Sequence, residues 1–217
     1  MTAIIRFEAW DIERRLSELD LTRAALIEVV KACVAGQGGC TENDPPNARG
    51  YESYRHGTRR ARELLRGDGW EKDDSGNFCS VVNHKRRFRL VVMNADDGAG
   101  LPERIPQNRC RKGPNSERAA NVNQWSLFGP EEAPLPSPNG EPPGLNGYTT
   151  WHLCVFISGE TVRAELSLLN EFQGGYFTGL FEKIIVLGDG DWNPVSVFDD
   201  PDQDDGALEF EIEVRRK

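Results

Sequence analysis

The sequence lacks the features that mark membrane, secreted and disulfide-stabilised proteins. No stretch approaches the roughly 20 consecutive apolar residues that a membrane helix needs, so we expect no membrane span. Acidic residues come early and no apolar h-region follows, which predicts no secretory signal and a cytoplasmic location. The five cysteines are scattered without a CxxC pair, which favours free thiols.

A recognisable metal motif is also missing, although the acidic segment 189–206 comes near one. Asp189, Asp191 and Asn193 match the first, third and fifth positions of an EF-hand calcium loop. Pro194 then occupies the sixth position, where the sharp turn requires glycine. We predict a solvated acidic loop, with no metal site and no cofactor; weak cation binding by the clustered carboxylates is the alternative.

Charge is present in quantity but is unevenly distributed along the chain. The net charge is −9, yet residues 49–118 hold sixteen Lys/Arg against ten Asp/Glu. Residues 150–217 hold five against fourteen. Because a basic surface can be local in an acidic chain, segment 49–118 predicts a surface suited to negative charge.

Apolar periodicity predicts an α+β fold, with N-terminal helices followed by antiparallel β-hairpins. Helices are expected over residues 8–35, as one helix or as two with a cap at Asp20 or Thr22, over 51–66, and over 116–125. Strands are expected over 78–82, 87–93, 150–157, 161–168 and 208–214. Residues 176–187 mix both patterns, and we predict a short helix running into a strand.

A segment rich in proline and glycine interrupts the chain. Residues 129–147 contain six prolines and four glycines, which predicts a long surface loop or linker. It suggests a helical and basic region over 1–128, a linker or surface excursion over 129–149, and an acidic β-rich region over 150–217. The alternative is one continuous domain.

Four arginines mark one face of the helix predicted over 51–66. They recur at i, i+4, i+7 and i+11, within about 40° of one another on a helix. We call them the arginine stripe: Arg55, Arg59, Arg62 and Arg66. The side expected to pack carries Tyr54, Ala61, Leu64 and Leu65. The stripe suits a phosphate backbone, but it also fits a solvated face or a partner for the chain's own acidic C-terminal segment.

These observations lead to the hypothesis of a nucleic-acid-associated protein that contacts phosphate through a basic helix and hairpin. The predicted binding residues are Tyr51, Arg55, Arg59, Arg62, Arg66, Lys85, Arg86, Arg87, Arg109, Arg111 and Lys112. Tyr51 would stack on bases, and the loop carrying Arg109 to Lys112 would order on binding. The order of helices and basic hairpin is that of a winged helix, but the loop before the stripe helix is too long for a helix-turn-helix.

Two other classes of function remain open. In an interaction or inhibitor module, the same arginines would meet an acidic protein partner. In a metal-dependent nuclease, Asp96 and Asp97 would act with Glu165, although no lysine stands two residues beyond them as the PD-(D/E)xK pattern requires. An HNH-type site would instead use His84 with Asn121 or Asn123, which is a generic match.

A second candidate cluster lies on the predicted hairpin 150–168. His152, with Cys154 and Phe156, shares one strand face, while Arg163 and Glu165 share a face of the return strand. If the two faces coincide, His152 and Glu165 form either a catalytic pair or, more commonly, part of a buried satisfied cluster. Whether the protein is an enzyme is left open, with Asp96, Asp97, Glu165 and His152 as weak catalytic candidates.

Overall fold

Four helices and seven strands form in the computed structural model, which describes residues 3–67, 69–126 and 148–193. The helices are α1 (Ala9–Glu18), α2 (Arg23–Gly38), α3 (Ala48–Leu65) and α4 (Pro114–Ser126). The strands are β1 (Ile4–Arg6), β2 (Trp70–Asp73), β3 (Ser80–Asn83), β4 (Phe88–Asn94), β5 (Thr149–Ser158), β6 (Thr161–Gln173) and β7 (Tyr176–Leu187). The predicted α+β class, with helices ahead of most strands, is confirmed.

All seven strands belong to one mixed sheet, in the order β1-β7-β6-β5-β4-β3-β2. Strands β2 to β4 and strands β5 to β7 are two antiparallel meanders. The meanders join through parallel pairing of β4 with β5, and β1 pairs parallel with β7. The sheet is therefore not made of antiparallel hairpins alone, and the basic hairpin β3–β4 is part of it rather than the wing of a winged helix.

Alternating side chains divide the sheet into two faces, each covered by helix. Leu90, Val92, Leu153 and Val155 point to the face that α1, α2 and α3 cover. The other face carries Met93 and Cys154 and packs against α4 through small residues such as Ala120. Among the helices in the described ranges, none has both the length and the apolar character needed to cross a bilayer.

Several predicted elements have different boundaries or types in the structure. Residues 176–187 are strand throughout, with no helix, because the strand pairs with β6 and is buried in the sheet. The first helical segment divides at residues 19–22, where the Thr22 hydroxyl accepts a hydrogen bond from the Ala25 N–H at 3.1 Å. Strands β1 and β2 were not predicted. Residues 129–147, most of the acidic loop and the strand expected over 208–214 lie outside the described ranges.

Small residues form the most buried part of the packing face of α3, beside Leu65, which packs against the core. Ser53, Gly57 and Ala61 are buried at a spacing of four, whereas Leu64, predicted to pack, is 36% exposed. A Cβ added at Gly57 would stand 2.3 Å from the Sγ of Cys33 in α2 and 3.1 Å from a Val92 methyl group. The close approach of α2, α3 and β4 thus depends on the missing side chain of Gly57.

We predict that Gly57→Ala destabilises the protein by about 1–3 kcal/mol, because the added methyl group overpacks the α2–α3 contact. The measurement is the free energy of unfolding in urea. Gly38→Ala is the matched control, since it is also helical and a Cβ there meets nothing within 4 Å. Equal stability of the two variants would contradict the close packing.

Candidate anion-binding cleft

The arginine stripe is largely paired with carboxylates close to it in the chain. Arg55 bonds Glu52 and Arg59 bonds Glu63, each with a shortest nitrogen–oxygen distance of 2.7 Å. Arg62 pairs with Asp74 just beyond β2. Arg66 forms no ion pair with the part of the chain that the structure describes. The stripe is therefore mostly neutralised by local partners. In the described C-terminal region, the acidic residues that form ion pairs do so with other cations: Glu165, Glu182, Asp189 and Asp191.

The basic hairpin turn between β3 and β4 also contacts the protein itself. The Arg86 guanidinium donates two hydrogen bonds, of 2.8 and 2.9 Å, to the carboxylate of Asp20 at the α1–α2 corner. Arg87 lies over the Tyr148 ring, 5.9 Å from its centroid. Lys85 is exposed at the same turn. Two of the three predicted phosphate contacts in this hairpin thus connect elements of the fold.

A cleft of about 1100 Å³ separates the N-terminal part of α3 from the start of α4. It crosses the carboxyl end of β4, at Asn94, and the end of β5, at Ser158 and Gly159. In sheets with parallel strands, ligands commonly bind beyond the carboxyl ends of those strands. The β4–β5 pair is such a parallel pair, so the cleft lies where the topology favours a ligand.

The cleft contrasts in charge with the rest of this acidic chain. Arg49 and Arg109 are exposed at its edge, and Lys112 is half-buried within it. Among the described residues that line it, none is Asp or Glu, although the chain holds 35 such residues. None of the three cations forms an ion pair with any residue in the described ranges. The cleft is thus suited to an anion.

Only part of the predicted binding surface comes together here. Tyr51, Arg109 and Lys112 line the cleft, and Tyr51 is 58% exposed. The arginine stripe, Arg86 and Arg87 are not among its lining residues. Arg49 lines the cleft as well, but it is not one of the binding residues predicted from the sequence. It lies in the basic segment 49–118, two residues before Tyr51, and that position is the sequence feature that indicates it.

The loop between β4 and α4 brings Arg109 and Lys112 to the cleft. Buried Asn108 donates from Nδ2 to the carbonyl oxygens of Cys110 at 2.7 Å and Gly175 at 2.8 Å, and its Oδ1 accepts from the Phe177 N–H at 3.0 Å. The Lys112 N–H donates to the Gly175 carbonyl at 3.0 Å. Contacts within the chain therefore position this loop beside the cleft.

The floor of the cleft contains a buried histidine. His152 on β5 is 1% exposed, and its ring packs on Phe177 with the centroids 4.7 Å apart. Its Nδ1 has no hydrogen-bond partner among the described residues. Burial, aided by the positive charge of Lys112, lowers the pKa of His152 to about 3. Burial also lowers the pKa of Lys112 itself. The Lys112 charge therefore lacks a described counter-charge and the His152 Nδ1 lacks a described hydrogen-bond partner, and an anion in the cleft would supply both.

The predicted catalytic carboxylates lie apart from the cleft lining and have separate structural contacts. Asp96 accepts hydrogen bonds from the Gly98 and Gln107 N–H groups, and exposed Asp97 pairs with Arg104 at 2.9 Å. In the sheet register, His152 lies opposite Ser167 rather than Glu165. Within the described residues, no three His, Cys, Asp or Glu side chains are arranged to hold a metal ion.

Glu165 instead forms a completely buried ion pair. Its Oε2 accepts from the Lys183 ammonium at 3.0 Å and from the Gly100 N–H at 2.8 Å, and its Oε1 accepts from the Ser167 hydroxyl at 2.5 Å. Both charged side chains are 0% exposed. Burial raises the pKa of the Glu165 carboxyl, while the Lys183 charge opposes that rise. Lys183 also donates to the Leu101 and Arg104 carbonyls, which attaches the loop after β4 to the sheet.

The other predicted side chains of this region have structural partners as well. Arg163 bonds the Asp97 carbonyl at 2.7 Å and lies 4.9 Å above the Phe156 ring, and it pairs with Asp189 at 3.2 Å. His84 contacts the Tyr148 hydroxyl at 3.0 Å. Buried Asn123 donates to the Thr150 and Leu169 carbonyls and so anchors α4 to the sheet. These contacts do not assemble an HNH-type site.

Comparison with protein-family models, with curated proteins and with solved structures finds no significant match to this chain. The interpretation of the cleft therefore depends on its own geometry and charge.

We predict that Lys183→Met destabilises the protein by about 3–5 kcal/mol, because it leaves the Glu165 carboxylate buried without its charge partner. Chemical unfolding of the purified variant measures the loss. Arg59→Met is the matched control: it removes one member of an exposed pair and should cost less than about 1 kcal/mol. A Lys183→Met protein as stable as this control would show that the buried pair is not needed.

We also predict that His152 makes the protein sensitive to acid. Its folded pKa of about 3 lies below the unfolded value of about 6.5, so the unfolded chain binds the proton first. The resulting stability is fully present above about pH 6.5 and is lost as pH falls toward 3. When the pH falls from 7 to 5, the unfolding free energy of the wild type should therefore drop by about 2 kcal/mol more than that of His152→Phe. His84→Phe, at an exposed turn, is the control; identical pH slopes for wild type and His152→Phe would refute the assignment.

Proposed function

We propose that this protein binds nucleic acid, and that the cleft contacts the phosphates. The observation that supports this proposal is the charge of the cleft: Arg49, Arg109 and Lys112 line it, and no described lining residue is acidic. An unpaired cation that is partly buried is costly, and a phosphate oxygen compensates it. In a chain with a net charge of −9, such a surface suits a specific anionic ligand.

Two further features favour a nucleic acid over an acidic peptide. Tyr51 presents an exposed aromatic ring at the cleft, where a base can stack. Gly113 to Ser116, at the start of α4, also line the cleft. Pro114 has no N–H and the Ser116 N–H donates to the Gly113 carbonyl at 3.1 Å, so the Gly113 and Asn115 N–H groups are the ones left for a phosphate. An acidic peptide would use the cations but would gain little from the aromatic ring.

The arginine stripe is a weaker candidate for the same role. Arg55, Arg59 and Arg62 already have carboxylate partners, so a phosphate would have to displace Glu52, Glu63 or Asp74. The cleft cations need no such exchange with a described residue. The stripe therefore provides a control surface of the same charge and on the same helix as Arg49.

We predict that Arg49→Glu/Arg109→Glu weakens binding of a single-stranded oligonucleotide by more than about tenfold. The probe is a fluorescein-labelled strand of about twelve nucleotides with a 5′-hydroxyl group, followed by fluorescence anisotropy. Wild-type affinity should fall as salt rises, and the variant should show a shallower salt dependence because fewer phosphates are contacted.

Arg55→Glu/Arg59→Glu is the matched control, with the same change of charge outside the cleft. It should retain wild-type affinity within about threefold. Loss of binding in this control alone would assign the function to the stripe and overturn the cleft proposal. Binding of polyglutamate with no binding of the oligonucleotide would instead identify an acidic protein as the partner.

A further inference from the structure

The innermost part of the cleft differs from its edge. The edge cations Arg49 and Arg109 are solvent-exposed, whereas Lys112 is half-buried and His152 is 1% exposed. The start of α4 lines the same cleft, directly after Lys112 in the chain. An ammonium, an imidazole and a helix N-terminus therefore line one recess.

The recess contains a polar atom that the described chain does not satisfy. Buried polar groups are nearly always hydrogen-bonded, and an unpaired one is costly. The Nδ1 of His152 has no partner among the described residues. The Lys112 ammonium likewise forms no hydrogen bond or ion pair with a described residue. Burial of His152 and the nearby Lys112 charge keep the imidazole neutral. A ligand that satisfies both groups must carry negative charge and bond an imidazole nitrogen.

We propose that this recess binds a terminal phosphate monoester, carried by the end of a nucleic acid strand or by a free nucleotide. This proposal builds on the proposed nucleic-acid function and specifies which phosphate enters the recess. Lys112 and the N–H groups of Gly113 and Asn115 would contact the phosphate oxygens, and His152 Nδ1 would bond one of them.

The protonation of the ligand favours a monoester over an internal phosphodiester. A neutral imidazole has one nitrogen that donates and one that accepts. A monoester has a second pKa near 6, so it can offer a P–OH donor or an oxygen acceptor and suits either tautomer of His152. An internal diester has no such proton and suits only the tautomer that donates from Nδ1.

The depth of His152 supports the same choice. A terminal phosphate carries one sugar, so a single chain of atoms has to leave the recess. An internal phosphate carries two sugars, and both flanking strands would have to pass the exposed edge at Arg49 and Arg109. The aromatic ring of Tyr51 then lies on the outer part of the cleft, where the first base of the strand can stack.

The test compares oligonucleotides of one sequence that differ only at their ends, by anisotropy with the full chain: 5′-phosphate, 3′-phosphate or two hydroxyl ends. We expect one phosphorylated end to raise affinity by more than about tenfold over the hydroxyl form. His152→Phe should reduce that preference to below about threefold. His152→Asn, which keeps a polar atom near the position of Nδ1, should restore part of it.

Each result separates this inference from the proposed function. Equal affinity for all three ends in the wild type would overturn the terminal-phosphate site but leave nucleic-acid binding intact. Should His152→Phe fail to fold, competition on the wild type replaces it, with adenosine monophosphate displacing the hydroxyl-ended strand at least about tenfold better than adenosine. If adenosine monophosphate binds and no oligonucleotide does, the recess is supported with a free nucleotide as its source, and the proposed function is wrong.

Discussion

The buried ion pair between Glu165 and Lys183 anchors the loop that leads to Arg109 and Lys112 in the cleft. Lys183 on β7 bonds the Leu101 and Arg104 carbonyls, and Glu165 on β6 bonds the Gly100 N–H. A long loop is thereby attached to strands β6 and β7 of the sheet through charge-assisted hydrogen bonds. Because burying two charges is costly unless every partner is present, the loop has little freedom to choose another path. The chain then continues to Asn108, which places Arg109 and Lys112 at the cleft.

The distribution of charge explains why an acidic protein can present a basic site. Elsewhere on the described surface, most arginines are matched by nearby carboxylates, as in the pairs Arg59–Glu63 and Arg86–Asp20. In the cleft this matching stops, and the cations are left without acidic neighbours among the described lining residues. Local charge, rather than the net charge of −9, is what a ligand in the cleft would meet.

The sequence predicted local elements better than it predicted their partners. The helix start at Thr22 followed from capping chemistry, and the strand face with His152 and Cys154 followed from the period of two. The helix expected near residue 176 was wrong, because pairing with β6 outweighs local propensity. On α3, the predicted packing residues Ala61 and Leu65 do pack on the core, whereas Leu64 is exposed and the small Gly57, which was not predicted to pack, is buried.

By itself, the sequence determined the class of fold, the basic character of segment 49–118 and the side chains that share a strand face. These properties depend on neighbours within a few positions, and local periodicity reports them. Only the tertiary structure decided that β4 pairs parallel with β5, that Glu165 meets Lys183, and that Tyr51, Lys112 and His152 line one cleft. Those contacts join residues far apart in the chain, and their geometry is set by the packing of the whole sheet. An arginine stripe was visible as a pattern, but whether its charge is free or paired depended on where Glu52, Glu63 and Asp74 lie in space.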